Sequence, residues 1–177
     1  MAPGGMLAGP GPGSIVMRAT PIRLALLALS AACMLAACGT GGGVRRVSEP
    51  AASVQQLTVQ ADGSWSVDLR LNNYSSVPMR FESASLAMQV DGQPAGTLQA
   101  QPAIMVGPES ADVATIALSP QPQARIVLAD ALARGRQVQY QLQGTLQASP
   151  EGAGPRSWTI ERKSTLNPVP GLPGVMR

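Results

Sequence analysis

Two stretches of this chain alternate apolar and polar residues with a period of two. Between residues 64 and 71 every second side chain is apolar, and between 138 and 147 the alternation is nearly as regular. Successive side chains of a β-strand point to opposite faces, so this pattern predicts half-buried strands. The inward-facing residues would be Trp65, Val67, Leu69 and Leu71 in the first strand, and Val138, Tyr140, Leu142 and Leu146 in the second.

Turn dipeptides and prolines divide the rest of the chain into further short strands. Asp62-Gly63 and Asp91-Gly92 are hairpin turn signals. One short helix is predicted over 124–134, ending at Gly135. Seven or eight strands with one helix predict an all-β fold, an antiparallel β-sandwich of the immunoglobulin or fibronectin III type. The strands are predicted over 54–60, 64–71, 79–90, 97–101, 103–106, 112–118, 138–147 and 157–163.

The residues before Cys38 have the parts of a bacterial secretory signal. Arg18 and Arg23 precede an apolar run of about 12 residues, which is too short to span a bilayer as a helix. Residues 1–16 are uncharged and rich in glycine and proline, so Met17 is the more natural start. We therefore predict a signal peptide over 1–37.

The run Leu35-Ala36-Ala37-Cys38 resembles the lipobox of bacterial lipoproteins. The resemblance implies cleavage before Cys38, which then carries lipid and holds the protein at a membrane. Cys33 is a poorer candidate, because Ser30 occupies the position that prefers leucine. Gly39 follows the cysteine, whereas retention in the inner membrane usually needs aspartate there. The expected location is therefore the outer membrane, facing the periplasm.

The mature chain divides into three predicted parts. Residues 38–52 form the lipid anchor and a flexible tether, which is rich in glycine at its start. Residues 53–165 form the β-sandwich domain. Residues 166–177 form a Pro/Gly-rich tail that we expect to be irregular. The tail segment 168–173 is either inert or an extended ligand for a partner.

The composition argues against catalysis and against nucleic-acid binding. Histidine is absent, which removes the commonest general base and metal ligand. Once Cys38 is acylated, the mature domain has no thiol for a disulfide, a metal or a nucleophile. All the acidic residues follow Cys38, whereas Arg18 and Arg23 precede it, so the net charge of +3 falls to about +1 in the mature chain. We predict no enzyme activity, no cofactor, no metal and no nucleic-acid partner.

The outward face of the strand over 138–147 is polar but carries no charge. Such a face suits either an ordinary hydrated surface or a contact face in an assembly, and both interpretations stay open. Its residues are Gln139, Gln141, Gln143, Thr145 and Gln147.

Three further features occur in a fixed order along the domain. The strand over 64–71 runs into residues 72–80, NNYSSVPMR; a strand ending at Val90 meets Asp91-Gly92; and residues 140–146 read YQLQGTL. Together they resemble the LEA type 2 family, also called the water-stress and hypersensitive-response (WHy) domain. That family has Asn-Pro-Asn after its first alternating strand, an Asn/Asp-Gly turn, and a Tyr-x-Leu-x-Gly-x-Leu strand. Asn73 matches the first Asn, and Tyr74 and Ser75 replace the Pro and second Asn.

The resemblance implies a seven-stranded β-sandwich with a helix, no enzymatic activity, and a link to desiccation and osmotic stress. Bacterial members are often lipoproteins. The expected function is that of a non-enzymatic, lipid-anchored periplasmic protein. Two alternatives stay open. A structural subunit of an envelope or secretion assembly would show a large exposed uncharged patch, and a carrier of a small apolar ligand would show a shielded apolar cavity.

Replacing the lipidated thiol tests the anchor. A Cys38→Ser variant should accumulate as an uncleaved precursor without lipid, because acylation needs the thiol. A Cys33→Ser variant is the matched control and should be processed normally. Metabolic labelling with palmitate measures both, and normal labelling of Cys38→Ser would contradict the lipobox assignment.

Overall fold

Nine β-strands and one helix make up the part of the chain that the computed structural model describes, residues 45–177. The predicted signal peptide and Cys38 lie outside the described residues. The elements in chain order are β1 (Ala51–Val59), β2 (Trp65–Asn73), β3 (Met79–Val90), β4 (Gln93–Ala100), β5 (Ile104–Val106), β6 (Ser110–Leu118), α1 (Pro122–Ala133), β7 (Val138–Pro150), β8 (Arg156–Leu166) and β9 (Val175–Met176).

The strands form two antiparallel sheets. One sheet has the order β6-β2-β1-β9, and the other has the order β4-β3-β7-β8 with β5 paired to β3. The all-β antiparallel sandwich predicted from the alternation is confirmed. The number of strands in the described residues is nine rather than seven or eight, because a short strand forms in the C-terminal tail.

The alternating stretches are confirmed as half-buried strands. In β2 the four predicted inward residues are at most 1% exposed. In β7 the inward residues Val138, Tyr140, Leu142 and Leu146 are buried. Strand register fixes these faces, since a slip of one residue would turn every apolar side chain to water. The two inward faces pack against each other and form the core.

Large side chains from both sheets fill that core. Trp65 and Tyr140, which were predicted to face inward, are at most 3% exposed, and Phe81 is fully buried. Trp158 packs against the cluster while half-buried. The Tyr140 hydroxyl also accepts a hydrogen bond of 3.2 Å from the Val54 backbone N–H. Val54 lies beside a β-bulge in β1, where the regular pairing of backbone groups is interrupted. Tyr140, which belongs to the other sheet, therefore supplies the acceptor for this N–H.

Both predicted hairpin turns form at their Asp-Gly dipeptides. Asp91 and Gly92 have φ angles of 45° and 76°, as a type I′ turn requires. At the other turn, the Asp62 carboxylate accepts hydrogen bonds of 2.6 Å from the Ser64 hydroxyl and 2.9 Å from the Ser64 N–H. These bonds stabilise the charged form and lower the pKa of Asp62.

Helix α1 begins two residues earlier than predicted, at Pro122, because proline is well suited to a first helical turn. Its buried residues are Ala124, Leu128 and Ala131. Gly135 ends the helix as predicted, with a φ of 65°. The N–H groups of Gly135 and Arg136 reach back to the carbonyls of Leu132 and Ala131 at 3.2 and 2.9 Å, which is a Schellman motif.

The prediction of an irregular tail is wrong for its last residues. Val175 and Met176 pair with β1, and Met176 is fully buried. Gly171 and Gly174, with φ angles of 79° and 77°, allow the chain to fold back on itself. A strand of two residues is too short to show an alternating pattern, so it could not be predicted from the sequence.

The sandwich also extends beyond the predicted limits of 53–165. Strand β1 begins at Ala51 and β8 ends at Leu166. Residues 46–48, predicted to be part of a flexible tether, are hydrogen-bonded to the domain.

Substitution at Gly144 tests the packing of β7 on β3. A Cβ at this position would overlap the backbone carbonyl oxygen of Ser85 on the neighbouring strand. Gly144→Ala should lower the free energy of unfolding by roughly 1–3 kcal/mol, the usual cost of overpacking. Thr145→Ala, at the next and exposed position, should change it by less than about 0.5 kcal/mol. Urea denaturation measures both, and equal effects would contradict the close approach of the two strands.

Candidate functional site at the tether end

The chain enters the sandwich at one end, and the loops there form a single hydrogen-bonded group. We call this group the tether end; it consists of residues 45–50 and the loops 74–78, 107–109 and 151–155. Strands β1, β3 and β8 begin at this end, and β2 and β7 finish there. Cys38 and the lipobox residues Leu35, Ala36 and Ala37 lie outside the described residues, and Arg45 is the first residue after them that the structure describes.

Residues 46–48 run alongside the loop that joins β2 to β3. The Ser76 N–H donates to the Arg46 carbonyl at 3.0 Å, and the Arg46 N–H donates to the Ser76 hydroxyl at 2.9 Å. The Ser48 N–H donates to the hydroxyl of Ser75 at 3.0 Å, and Ser75 is fully buried. The entering segment is therefore fastened to the domain over three residues.

The buried side chain of Asn73 holds the β2–β3 loop in place through hydrogen bonds. This side chain is fully buried at the last position of β2. Its amide nitrogen donates to the carbonyls of Val77 at 2.9 Å, Val106 at 3.2 Å and Gly107 at 2.8 Å. Its amide oxygen accepts the Ser75 N–H at 2.9 Å. One carboxamide thus connects β2, the β2–β3 loop and the turn after β5.

An exposed ion pair closes the outer side of this group. The Arg46 guanidinium lies 2.9 Å from the Glu109 carboxylate and donates to the Tyr74 carbonyl at 3.2 Å. The Glu109 N–H donates to the Ser75 carbonyl at 3.1 Å. Both charged side chains are more than half exposed, so the pair adds little to stability. Its effect is to direct the Arg46 side chain across the loop.

A cleft of about 220 Å³ opens beside the tether end, between the start of β1 and strand β8. Two arginines and an aromatic ring contribute to its walls, and Tyr74 is 53% exposed. The lining residues are Ala51, Ala52, Ser53, Arg70, Asn72, Tyr74 and Arg162. The alternation pattern gave no sign of this cleft, because it brings together residues from two different sheets.

The uncharged outward face predicted for β7 forms part of a wider polar surface. Gln139, Gln143, Thr145 and Gln147 are exposed on β7, and neighbouring strands add further serine, threonine and glutamine. A shallow cleft of about 370 Å³ lies toward the far end of this face. Its lining residues are Gln89, Gly92, Gln139, Tyr140, Gln141, Lys163, Ser164 and Thr165.

The aspartate and glutamate side chains in the described part of the chain, 45–177, are spread over separate turns and strands. Within this part of the chain no three Asp, Glu, His or Cys side chains come together as a metal site would need. Asp91 accepts the Gln139 N–H at 2.7 Å and pairs with Arg136 at 2.8 Å, so it acts in the turn as predicted. The hydrogen bond from the Arg136 guanidinium to the Asp91 carboxylate raises the pKa of Arg136.

No helix in the described residues is long and apolar enough to cross a membrane.

Comparison with known proteins gives solved structures only. No family model matches the chain, and no curated protein matches it. A protein from Archaeoglobus fulgidus is 14% identical, with a TM-score of 0.41 over 70% of this chain and 98% of the other. The protein AT1g01470 from Arabidopsis thaliana is 15% identical, with a TM-score of 0.45 over 71% of this chain and 82% of the other. A protein assigned as ApaA from Bordetella pertussis is 14% identical, with a TM-score of 0.41 over 70% of this chain and 96% of the other.

Truncation of Asn73 tests its role in the tether end. Asn73→Ala would leave three carbonyls and the Ser75 N–H without their partner, which should lower the free energy of unfolding by at least roughly 1–3 kcal/mol. Asn72→Ala is the matched control, since Asn72 is only half-buried and, among the described residues, its side chain bonds to Arg70 alone. Urea denaturation compares the two, and an effect of Asn73→Ala no larger than that of the control would contradict this role.

Proposed function

We propose that this protein is a non-enzymatic, lipid-anchored β-sandwich of the bacterial envelope, related to the WHy-domain lipoproteins. The lipid on Cys38 holds it at the outer membrane, and its surfaces act by contact on the periplasmic side. Any protection against desiccation or osmotic stress comes from these surfaces, without a catalytic residue.

The observation that supports this proposal is the fastening of residues 46–48 to the loop that joins β2 to β3. Arg45 lies seven positions after Cys38, so the fully extended connection spans at most roughly 25 Å. A fastened entry segment on a short connection keeps the domain close to the bilayer. A lipid anchor holds a protein firmly at the membrane when two or more acyl chains insert, because each buried CH₂ contributes about 0.8 kcal/mol of binding free energy.

The outward face of the sheet with β7 supports a second candidate, a structural subunit of an envelope or secretion assembly. This face is broad, exposed and mostly uncharged. Interface cores are depleted of charged residues, so such a face suits contact with another protein. A carrier of an apolar ligand has no comparable support, because the space between the sheets is filled by large side chains.

A deletion strain distinguishes the two candidates. Loss of the gene should reduce survival after drying or osmotic shock, and the wild-type gene should restore it. Unchanged survival together with a specific secretion defect would overturn the protective function and favour the assembly subunit.

Site-specific photo-crosslinking in cells identifies the contacts themselves. A photo-reactive residue placed at Gln143, on the uncharged face, should give a discrete adduct if that face docks in an assembly. The matched control is Gln55, which is exposed on the other sheet. Equal labelling from both positions would contradict a specific docking face.

A further inference from the structure

Arg162 occupies a position in β8 where the strand pattern calls for an apolar residue. It pairs directly with the buried Leu142 of β7, and directly paired residues share a face of the sheet. Ile160 and Leu166 follow the same register and are buried. Arg162 therefore belongs to the core-facing side of β8, yet it is exposed because β8 lies at the edge of its sheet.

The Arg162 guanidinium has no hydrogen-bond or ion-pair partner within residues 45–177. None of the hydrogen bonds or ion pairs among residues 45–177 includes it. Glu161 and Lys163 belong to the opposite, outward face of the sheet, and Glu161 is bonded to Gln143 at 3.3 Å. An arginine on the core side of a strand, without a carboxylate from residues 45–177 to neutralise it, is available to bind an anion.

Arg70 contributes the second positive charge. It belongs to the outward face of β2. Within residues 45–177 its side chain donates to amide oxygens only, those of Asn72 at 3.2 Å and Gln55 at 3.4 Å. The nearest carboxylate along β2 is Asp68, which accepts the Thr115 hydroxyl at 2.7 Å. The two amide contacts orient the Arg70 guanidinium but leave its charge uncompensated.

The two arginines line the same cleft of about 220 Å³, and no acidic residue lines it with them. Ser53 and Asn72 add hydroxyl and amide donors to its wall. The first half of β1 forms the floor and is open on this side, because β9 pairs only with Leu57 and Thr58. The cleft thus offers two planar guanidinium groups and neutral donors to one occupant.

We propose that this cleft binds a phosphate-type oxyanion between Arg70 and Arg162. The guanidinium group presents a rigid set of donors that matches phosphate oxygens, and such charge-assisted bonds are about twice as strong as neutral ones. The same chemistry is offered by a free phosphate compound and by the headgroup of an anionic lipid. Binding of the anion itself does not depend on the lipid anchor.

Titration with inorganic phosphate tests the site. The full chain is purified in a non-ionic detergent, and binding is measured by isothermal titration calorimetry. Arg162→Gln and Arg70→Gln should each weaken phosphate binding by roughly tenfold, since each removes a charge-assisted contact. Lys163→Gln is the matched control, because it removes one positive charge at the adjacent residue on the opposite face. It should change the affinity by less than about twofold.

A second arm distinguishes the two sources of the anion. The full chain is reconstituted in vesicles of phosphatidylcholine, with and without phosphatidylglycerol, and titrated again with phosphate. Weaker apparent binding with phosphatidylglycerol supports a lipid headgroup as the occupant, and unchanged binding supports a free phosphate.

Two results would overturn the proposal. One is the absence of phosphate binding to the wild-type chain, and the other is an equal loss in Arg162→Gln and Lys163→Gln. Circular dichroism shows whether each variant keeps the β-sheet spectrum, and Arg70→Gln provides an independent variant if Arg162→Gln does not fold. A failure of the anchor would appear differently, as a chain that binds phosphate in solution but does not stay with the vesicles.

Discussion

The tether end depends on the hydrogen bonds made by the carboxamide of Asn73. It is buried at the end of β2 and bonds to three carbonyls and one N–H, which come from the β2–β3 loop, the last residue of β5 and the turn after it. Buried polar groups are costly unless they are paired, so these loops and this side chain stabilise one another. The loop in turn presents Ser75 and Ser76, which hold residues 46–48. The place where the chain enters the sandwich is therefore fixed by one side chain in the interior.

The rest of the sandwich is held together by apolar burial, with few polar links between the sheets. The core has no cysteine among residues 45–177, so no disulfide supports it, and packing must supply the stability. Gly144 shows how closely the strands approach, since even a methyl group has no room beside Ser85. The hydrogen bond from the Val54 N–H to Tyr140 is a polar link across the two sheets, at the position where the bulge interrupts β1.

The charged residues are arranged differently on the different surfaces of the domain. Some charged residues form ion pairs, as in Arg46 with Glu109 and Arg136 with Asp91. The face built around the outward residues of β7 has mostly glutamine, serine and threonine instead, with Glu161 and Lys163 on the neighbouring β8. The cleft between β1 and β8 is the contrasting surface, with two arginines and no carboxylate in its walls. A mostly uncharged face and a positive cleft suit different partners, a protein surface in the first case and an anion in the second.

The sequence by itself determined the sandwich class, the two Asp-Gly hairpins, the end of the helix at Gly135 and the inward positions of Trp65 and Tyr140. These features follow from local rules, because the period of a strand and the dihedral angles of a turn are properties of neighbouring residues. Cys38 is likewise a local signal, and its lipidation stays a prediction from the sequence. Tertiary structure alone decided the strand in the tail, the fastening of residues 46–48 and the cleft of Arg70 and Arg162. Each of these joins residues that lie far apart in the chain, and local pattern does not encode which distant partners will meet once the core has packed.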